Sequence, residues 1–303
     1  MSKKEIVCKV NHLLVILFGA PNENDPQLFT YSKKYAADLY SEFTSLNIKC
    51  IEVPVYSTEF LNNVLEDIKS IWNKDFIIFN AVLGSAGYNG DILEQVKNHS
   101  FIGCDASQQR ICNNKYLTKQ LIKLVGVSVA EGSLIQGPEN FHCGCPEEVI
   151  VKPNFGSRSK GITRLKSSQC FNVDMGSWLI ENFIDGDDVT VLCMGQKFYA
   201  ARIITDTGMH SNEDKETQNA KFEIFDVSKI LWTCRKVKEC LDITNEPIRI
   251  DGRFKDEKFT VLEVNTQSSW AFNSTGGKTW QVNNPGKVYS DMLKEVLESL
   301  PLL

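Results

Sequence analysis

The chain has 303 residues, 42% hydrophobic and 23% charged, with a net charge of −5. That composition suits a globular protein with about two or three subdomains around a sizeable core. Charges of both signs are interspersed, leaving no electrostatic footprint for nucleic acid, and no apolar run reaches membrane-spanning length, so neither partner is expected.

The first hundred residues alternate strand and helix patterns. Leu13–Phe18 is an apolar strand ending at Gly19-Ala20-Pro21, Gln27–Phe43 has helical periodicity, and Ile48–Val55 is strand-like. Ser57–Trp72 is helical, Asp75–Leu83 is a third strand breaking into the glycine-rich run Gly84–Gly90, and Asp91–Lys97 is a helix. Such alternation predicts a parallel sheet with helices on its faces. Ligands bind at the carboxyl ends of such strands, which puts Gly19–Asp25 and Gly84–Gly90 at a cleft, although each run alone also reads as a plain turn.

In the middle, Asn114–Val125 reads as a basic amphipathic helix with Lys115, Lys119 and Lys123 along one side. A strand follows at Glu148–Pro153, then the loop Asn154-Phe155-Gly156-Ser157-Arg158-Ser159-Lys160-Gly161-Ile162. A Gly/Ser-rich loop with two cations between strands suits covering a polyphosphate through backbone N–H groups. It is not a P-loop, because it lacks GxxxxGK[ST] and leads into a strand. Ser177–Ile184, Val189–Met194 and Lys197–Ile204 read as strands, with a turn at Asp185–Asp188. The polar stretch Thr205–Lys221 has no periodicity and is a candidate lid. Phe225–Leu241 and Lys287–Leu300 read as helices.

Between those helices lies the segment richest in chemistry. Ile248–Phe254 and Phe259–Thr266 alternate like strands around the polar turn Lys255-Asp256-Glu257-Lys258, which predicts a β-hairpin. Alternation puts Arg249, Asp251 and Arg253 on one face, and likewise Glu263 and Asn265 on one face. Two carboxylates and an amide suit Mg²⁺, which pairs carboxylates with substrate phosphates, and Arg249 adds a positive charge for phosphate. An exposed hairpin also carries charges of this kind, so both readings stand at this point.

The ten cysteines include Cys8, Cys50, Cys104, Cys193 and Cys240, single residues within apolar stretches that read as small buried hydrophobes. The cluster His142-Cys143-Gly144-Cys145 lacks a second pair at zinc-finger spacing. Met1-Ser2-Lys3-Lys4-Glu5 has no signal-peptide apolar region, which makes the cytoplasm the expected compartment. No nucleophile-and-base arrangement is visible in the sequence.

In order, the chain carries Asn-Lys-Tyr-Leu-Thr-Lys, Val-Lys-Pro with the Gly/Ser loop, Ile-Glu-x-x-Ile-x-Gly-x-Asp, Arg-x-Asp and Leu-Glu-Val-Asn-Thr. Over roughly residues 75 to 280 this series resembles the ATP-grasp ligases, most of all the D-alanine–D-alanine ligases. The resemblance implies an α+β fold, with an α/β N-terminal part, in three subdomains: residues 1–103, 104–180 and 181–303. ATP would lie between the central and C-terminal subdomains. It implies that Lys115 and Lys152 hold ATP phosphates and the adenine side, and that Gly156, Ser157, Arg158, Ser159 and Gly161 belong to the phosphate-covering loop. It assigns Glu181 to the adenine amino group, Asn182 and Ile184 to the hinge backbone, and Asp188 to the ribose. Asp251, Glu263 and Asn265 match ligands of two Mg²⁺ ions, with Mn²⁺ as a substitute. Arg249 matches the arginine on the transferred phosphate, Ser274 the serine on the acceptor carboxylate, and Lys221 a lid lysine.

The implied activity is ATP-dependent joining of a carboxylate to an amine through an acyl phosphate, with amino-acid-like partners. No membrane partner is implied, and a homodimer is left open. The amino-acid side departs from the family. Asn80–Gly90 lacks the usual His-Gly and Gly-Glu-Asp-Gly, Arg158 stands where a serine is usual, and Ser268-Ser269 replaces Pro-Gly. Glu23 is a weak match to the glutamate that binds the first ammonium. These departures point away from cell-wall D-alanyl-D-alanine and toward a different dipeptide or a natural product. Arg158 suggests an anionic donor, or else it faces solvent or phosphate. The competing class is a non-catalytic ATP-binding or regulatory protein on the same fold. A dinucleotide oxidoreductase fails for want of GxGxxG after the first strand.

Overall fold

The computed structural model describes residues 12–21, 26–142, 148–156, 159, 161–166, 170–206, 219–267 and 270–299. Strand β1 (Leu13–Phe18) lies between β2 (Cys50–Pro54) and β3 (Phe76–Asn80), and β4 (Ser100–Ile102) extends the sheet in the order β2-β1-β3-β4, all parallel. Every residue of β1 is buried because both faces are covered. Leu14, Ile16 and Phe18 pack with helix α1 (Pro26–Ser45), whereas Leu13, Val15 and Leu17 pack with α2 (Thr58–Trp72). Helix α2 starts where the Ser57 hydroxyl accepts from the Phe60 N–H (3.2 Å) and stops at Asn73, whose left-handed backbone ends the helix. The short helices α3 (Ser85–Tyr88) and α4 (Asp91–Gln95) follow β3.

Helices α5 (Ala106–Asn113) and α6 (Lys115–Leu124) are separated by Asn114, whose extended backbone breaks the run while its side chain caps the second helix. A four-stranded antiparallel sheet follows, built from β5 (Gly132–His142), β6 (Val149–Pro153), β7 (Thr163–Leu165) and β8 (Cys170–Asn182) in the order β5-β8-β6-β7. The last sheet contains β9 (Asp187–Met194), β10 (Lys197–Ile204), β11 (Lys221–Ile224), β12 (Ile248–Lys255) and β13 (Lys258–Asn265). It is antiparallel in the order β11-β10-β9-β12-β13. Helices α7 (Leu231–Cys240), α8 (Thr275–Asn283) and α9 (Tyr289–Ser299) complete the chain.

Several expectations need correction. Phe225 and Asp226 are not helical: Phe225 packs edge-on against Phe254 in the core, the Asp226 side chain accepts from Ser228 N–H, and only a 3₁₀ turn, Val227–Lys229, precedes α7. Of the three lysines on one side of α6, Lys115 and Lys119 are buried and only Lys123 reaches solvent, against Glu131. Strands β4, β5 and β11 and helices α3, α5 and α8 were not anticipated. Cys50 and Cys240 are only partly buried, whereas Cys104 and Cys193 are buried as expected; Cys8 lies outside the described residues.

The cores show how the parts are joined. Trp270, Trp280 and α9 share one apolar cluster with β1, β3 and α1, and the Trp270 N–H donates to the Tyr35 hydroxyl (2.8 Å). Helices α5 and α6 pack with β9, β12 and β13 in a second cluster. The sheet of β5–β8 has a small core of its own, made of Val149, Val151, Leu165, Val173 and Ile180. The expected boundary at 180/181 falls inside β8. Among the described residues no helix is long and apolar enough to cross a membrane.

Candidate functional site

Across the gap between the two antiparallel sheets lies a cleft of about 820 Å³, open to solvent. Lys152 of β6 and Glu181 of β8 stand on one wall; Arg249, Asp251 and Glu263 of the β12–β13 hairpin stand on the other. Ile150, Ile162, Phe183, Ile184 and Leu262 supply apolar surface between them. A cleft of this size, mostly apolar with a few convergent charges, has the form of a small-molecule site.

The hairpin registers its charges by pairing. Arg249 lies opposite Asn265, and Asp251 opposite Glu263; the register then shifts between Asp251 and Gly252. Gly252 is required there, because an added Cβ would sit 2.6 Å from both the Phe259 ring and the Thr260 carbonyl oxygen. Arg249 grips Asp251 with two nitrogens, Nε at 2.9 and 3.0 Å and Nη2 at 2.7 Å. Thr190, opposite Asp251 on β9, donates its hydroxyl to Oδ1 (2.7 Å), and Asn265 Nδ2 donates to Asp251 (2.9 Å) and Glu263 (3.2 Å).

Facing them is a buried group of lysines. Glu181, 2% exposed, accepts from Lys152 Nζ at 2.5 Å on one oxygen and from Lys119 Nζ on the other. Burial alone would raise the Glu181 pKa, but Lys152 and then Lys119 outweigh it and hold the carboxyl ionised. Burial, and then Lys152, push Lys119 down to about 7 against the pull of Glu181. Lys115 is also lowered, chiefly by burial, with Glu263 opposing, and its ammonium donates to the Gly156 carbonyl (2.5 Å).

Asn154 pins the Gly/Ser loop to the start of α6. Its carbonyl accepts from Lys115 N–H (3.1 Å), its Oδ1 from Tyr116 N–H (2.9 Å), and its Nδ2 donates to Asn114 (3.1 Å). Gly156, with Lys115, Glu263 and Asn265, lines an adjoining pocket of about 360 Å³ that also touches Tyr88 of the N-terminal part. Ser159 lines the main cleft in a left-handed conformation (φ 58°), and Gly161 also has positive φ (75°), where an added Cβ would meet the Pro153 ring at 3.0 Å.

The expected site residues are thus placed as follows. Lys152, Ser159, Glu181, Asn182, Ile184, Asp188, Arg249, Asp251 and Glu263 converge on the main cleft, and Lys115, Gly156 and Asn265 on the adjoining pocket. Ser274 caps α8 by accepting from Gly277 N–H (3.1 Å), which leaves its neighbour Thr275 on the cleft. Lys221 does not line the cleft: it is exposed at the start of β11 and pairs with Glu223 (2.6 Å). Ser157, Arg158, Glu23, Ser268, Ser269 and residues 207–218 of the expected lid lie outside the described residues, as does the Cys143–Cys145 pair.

Four contributors were missed. Lys119, Thr190 and Asn154 act through partners distant in sequence. Arg253 was signalled by its place in the Arg249–Asp251–Arg253 alternation; it lines the cleft beside Asp188 (3.7 Å) and donates to the Gly186 carbonyl (3.0 Å). Among the described residues no three His, Cys, Asp or Glu side chains cluster for a metal. Two carboxylates plus an amide nonetheless fit a hard cation completed by phosphate and water, once the Asn265 amide turns its oxygen inward.

Two antiparallel sheets closing on a cleft, one wall bearing lysines and the other carboxylates, define a clamp-type fold. The sequence profile of the ATP-grasp domain matches residues 112–268, and the chain belongs to that family. Among curated relatives, the D-alanine–D-alanine ligase of Ruthia magnifica is 27% identical over 204 residues, which cover 62% of this chain and 66% of that protein. The same ligase of Clostridium botulinum is 24% identical over 261 residues, covering 78% and 83%. Among solved structures, a D-alanine–D-alanine ligase from Bacillus anthracis complexed with ATP superposes with a TM-score of 0.72 at 16% identity, over 95% of this chain and 96% of that one. The VanG D-Ala:D-Ser ligase from Enterococcus faecalis gives 0.69 at 16% identity, over 95% and 99%. The fold is therefore that of the D-alanine–D-alanine ligase structures, as the motif order implied.

Proposed function

We propose that this protein is an ATP-dependent carboxylate–amine ligase acting on amino acids or amino-acid-like substrates. One observation carries the reading: Lys115, Lys119 and Lys152 are buried around a single buried carboxylate, Glu181, with Lys152 on the main cleft beside Asp251 and Glu263 and Lys115 on the adjoining pocket. Uncompensated buried ammonium groups are costly, so this excess positive charge suits a site that takes up a polyanion.

Within the cleft, the apolar slot of Ile150, Phe183, Ile184 and Leu262 accommodates a purine. Lys152 offers a donor and Glu181 an acceptor, the complement of the N7 acceptor and 6-amino donor of adenine. Asp188 and Arg253 fit the ribose, and Arg249 and Lys115 the phosphates. The donor carboxylate attacks the γ-phosphorus, the bond to ADP breaks, and an acyl phosphate forms. The acceptor amine then adds to the acyl carbon, phosphate leaves, and the amine loses a proton. Arg249 neutralises charge on the transferring group, so positioning and electrostatics carry the catalysis and no protein nucleophile is needed. Asp251, Glu263 and Asn265 would hold Mg²⁺, which supplies further neutralisation of phosphate charge.

The relatives named above act on D-alanine or D-serine. The departures in Asn80–Gly90 and at Ser268-Ser269 support a different donor or acceptor in this chain. Phosphate release with MgATP and paired amino acids, with mass spectrometry of the product, tests the reading. ATP binding without turnover on any pair would favour a regulatory role instead.

A further inference from the structure

Glu181 has two ammonium partners where a base-reading carboxylate needs one, and the second does not come from the cleft. Lys152 lines the cleft beside Glu181, but Lys119 does not; it reaches the other carboxylate oxygen from helix α6, 3% exposed. The pair spans 62 residues of sequence and ties α6 to the end of strand β8, immediately before the Asn182–Ile184 stretch that lines the slot. The other charged groups near it are Lys115 on α6 and Glu263 on β13, and Glu263 bears on Lys115.

From this we infer that Lys119 is a positioning residue that sets purine selectivity, holding Glu181 as a fixed, ionised acceptor so that the slot takes a 6-amino purine nucleotide and rejects a 6-oxo one. The inference rests on the reading of the cleft as a nucleotide site. An ionised carboxylate only accepts hydrogen bonds. It therefore welcomes the amino group of adenine and repels the carbonyl oxygen of guanine. At 2% exposure a carboxylate that loses one of two ammonium partners takes up a proton more readily and can turn. The protonated form donates, and then a 6-oxo group is tolerated. Lys119 thus acts on the base through Glu181 without touching it.

The test is calorimetric titration of the wild type, Lys119→Met and Lys119→Gln with MgATP and with MgGTP at about pH 6.0, on the acid side of the lowered Lys119 value of about 7, with thermal melting to verify folding. The expected result for Lys119→Met is a fall of at least tenfold in the ratio Kd(GTP)/Kd(ATP). Lys119→Gln keeps a hydrogen-bond donor without the charge and should fall in between; it carries the test if the Met variant does not fold. A merely structural lysine would weaken both nucleotides by the same factor. That result, or an unchanged ratio, overturns the inference. A wild type that binds neither nucleotide removes the reading of the cleft itself, which separates the two failures.

Discussion

Replacing Asp251 with Asn removes the charge on which the hairpin's polar contacts converge. In the wild type, Asp251 receives two nitrogens of Arg249, the Thr190 hydroxyl and the Asn265 amide, all between 2.7 and 3.0 Å. Arg249, only 13% exposed, would keep Glu263 at 4.0 Å as its nearest acid. Hydrogen bonds to charged groups contribute about 1.5–3 kcal/mol, and breaking a buried pair by removing one partner costs roughly 3–5 kcal/mol. Asn retains one acceptor oxygen, and Glu263 remains close, so the expected loss is about 2–3 kcal/mol. At roughly 2–4 °C per kcal/mol for a chain of this size class, the ligand-free melting temperature should fall by about 5–10 °C. A second effect separates function from packing. The wild type should gain stability with Mg²⁺ and ATP together by binding linkage, and the Asn variant should gain little. Differential scanning fluorimetry with and without MgATP reads both. Equal melting temperatures without ligand, together with equal gains, would show that Asp251 neither anchors Arg249 nor takes part in MgATP binding.

Gly252→Ala should cost about 1–3 kcal/mol, because the new methyl meets the Phe259 ring and a backbone oxygen that cannot retreat. It should also weaken MgATP binding by disturbing the Asp251–Glu263 register, read by denaturant titration and calorimetry. Glu295, nearly buried, accepts from the Tyr199 hydroxyl (2.6 Å) and Trp280 Nε1 (3.3 Å). Burial would raise its pKa, but those hydrogen bonds, with Lys197 and Lys287, lower it. A carboxyl lowered on folding adds stability above its unfolded value of about 4.3, and that stability is lost as pH falls through its lowered folded value. Glu295→Gln should therefore be less stable than the wild type at pH 7, with the gap closing as pH drops below about 4; a gap independent of pH would contradict this.

The strand–helix alternation of the first hundred residues was legible because β1 is apolar throughout and Ser57 and Asn73 punctuate α2 with ordinary cap chemistry. The hairpin was legible because period-2 alternation carried its charges to one face. What escaped lacked local signal. Strand β5 contains two glycines and a proline, as an edge strand can, and β5 lies at the edge of its sheet. Helix α5 is polar, and its capping box of Asp105 and Gln108 was the one available cue. Helix α8 carries two glycines, one of them packed so tightly that a Cβ would fall 2.3 Å from the Ala271 carbonyl oxygen. Lys119 shows the deeper limit. A lysine every fourth residue gives a basic side of a helix, and only the tertiary approach of Glu181, 62 residues away, shows that Lys119 on that side is buried against an acid.

On the function proposed above, ATP activates a substrate carboxylate in this cleft. The decisive experiment supplies a donor amino acid labelled with ¹⁸O in its carboxylate, together with an acceptor amine and MgATP. Passage through an acyl phosphate transfers one labelled oxygen from donor to released phosphate. Singly labelled phosphate should appear in step with a ligated product, and neither should appear with Asp251→Asn. Unlabelled phosphate with no ligated product, from a protein that still hydrolyses ATP, would contradict that function.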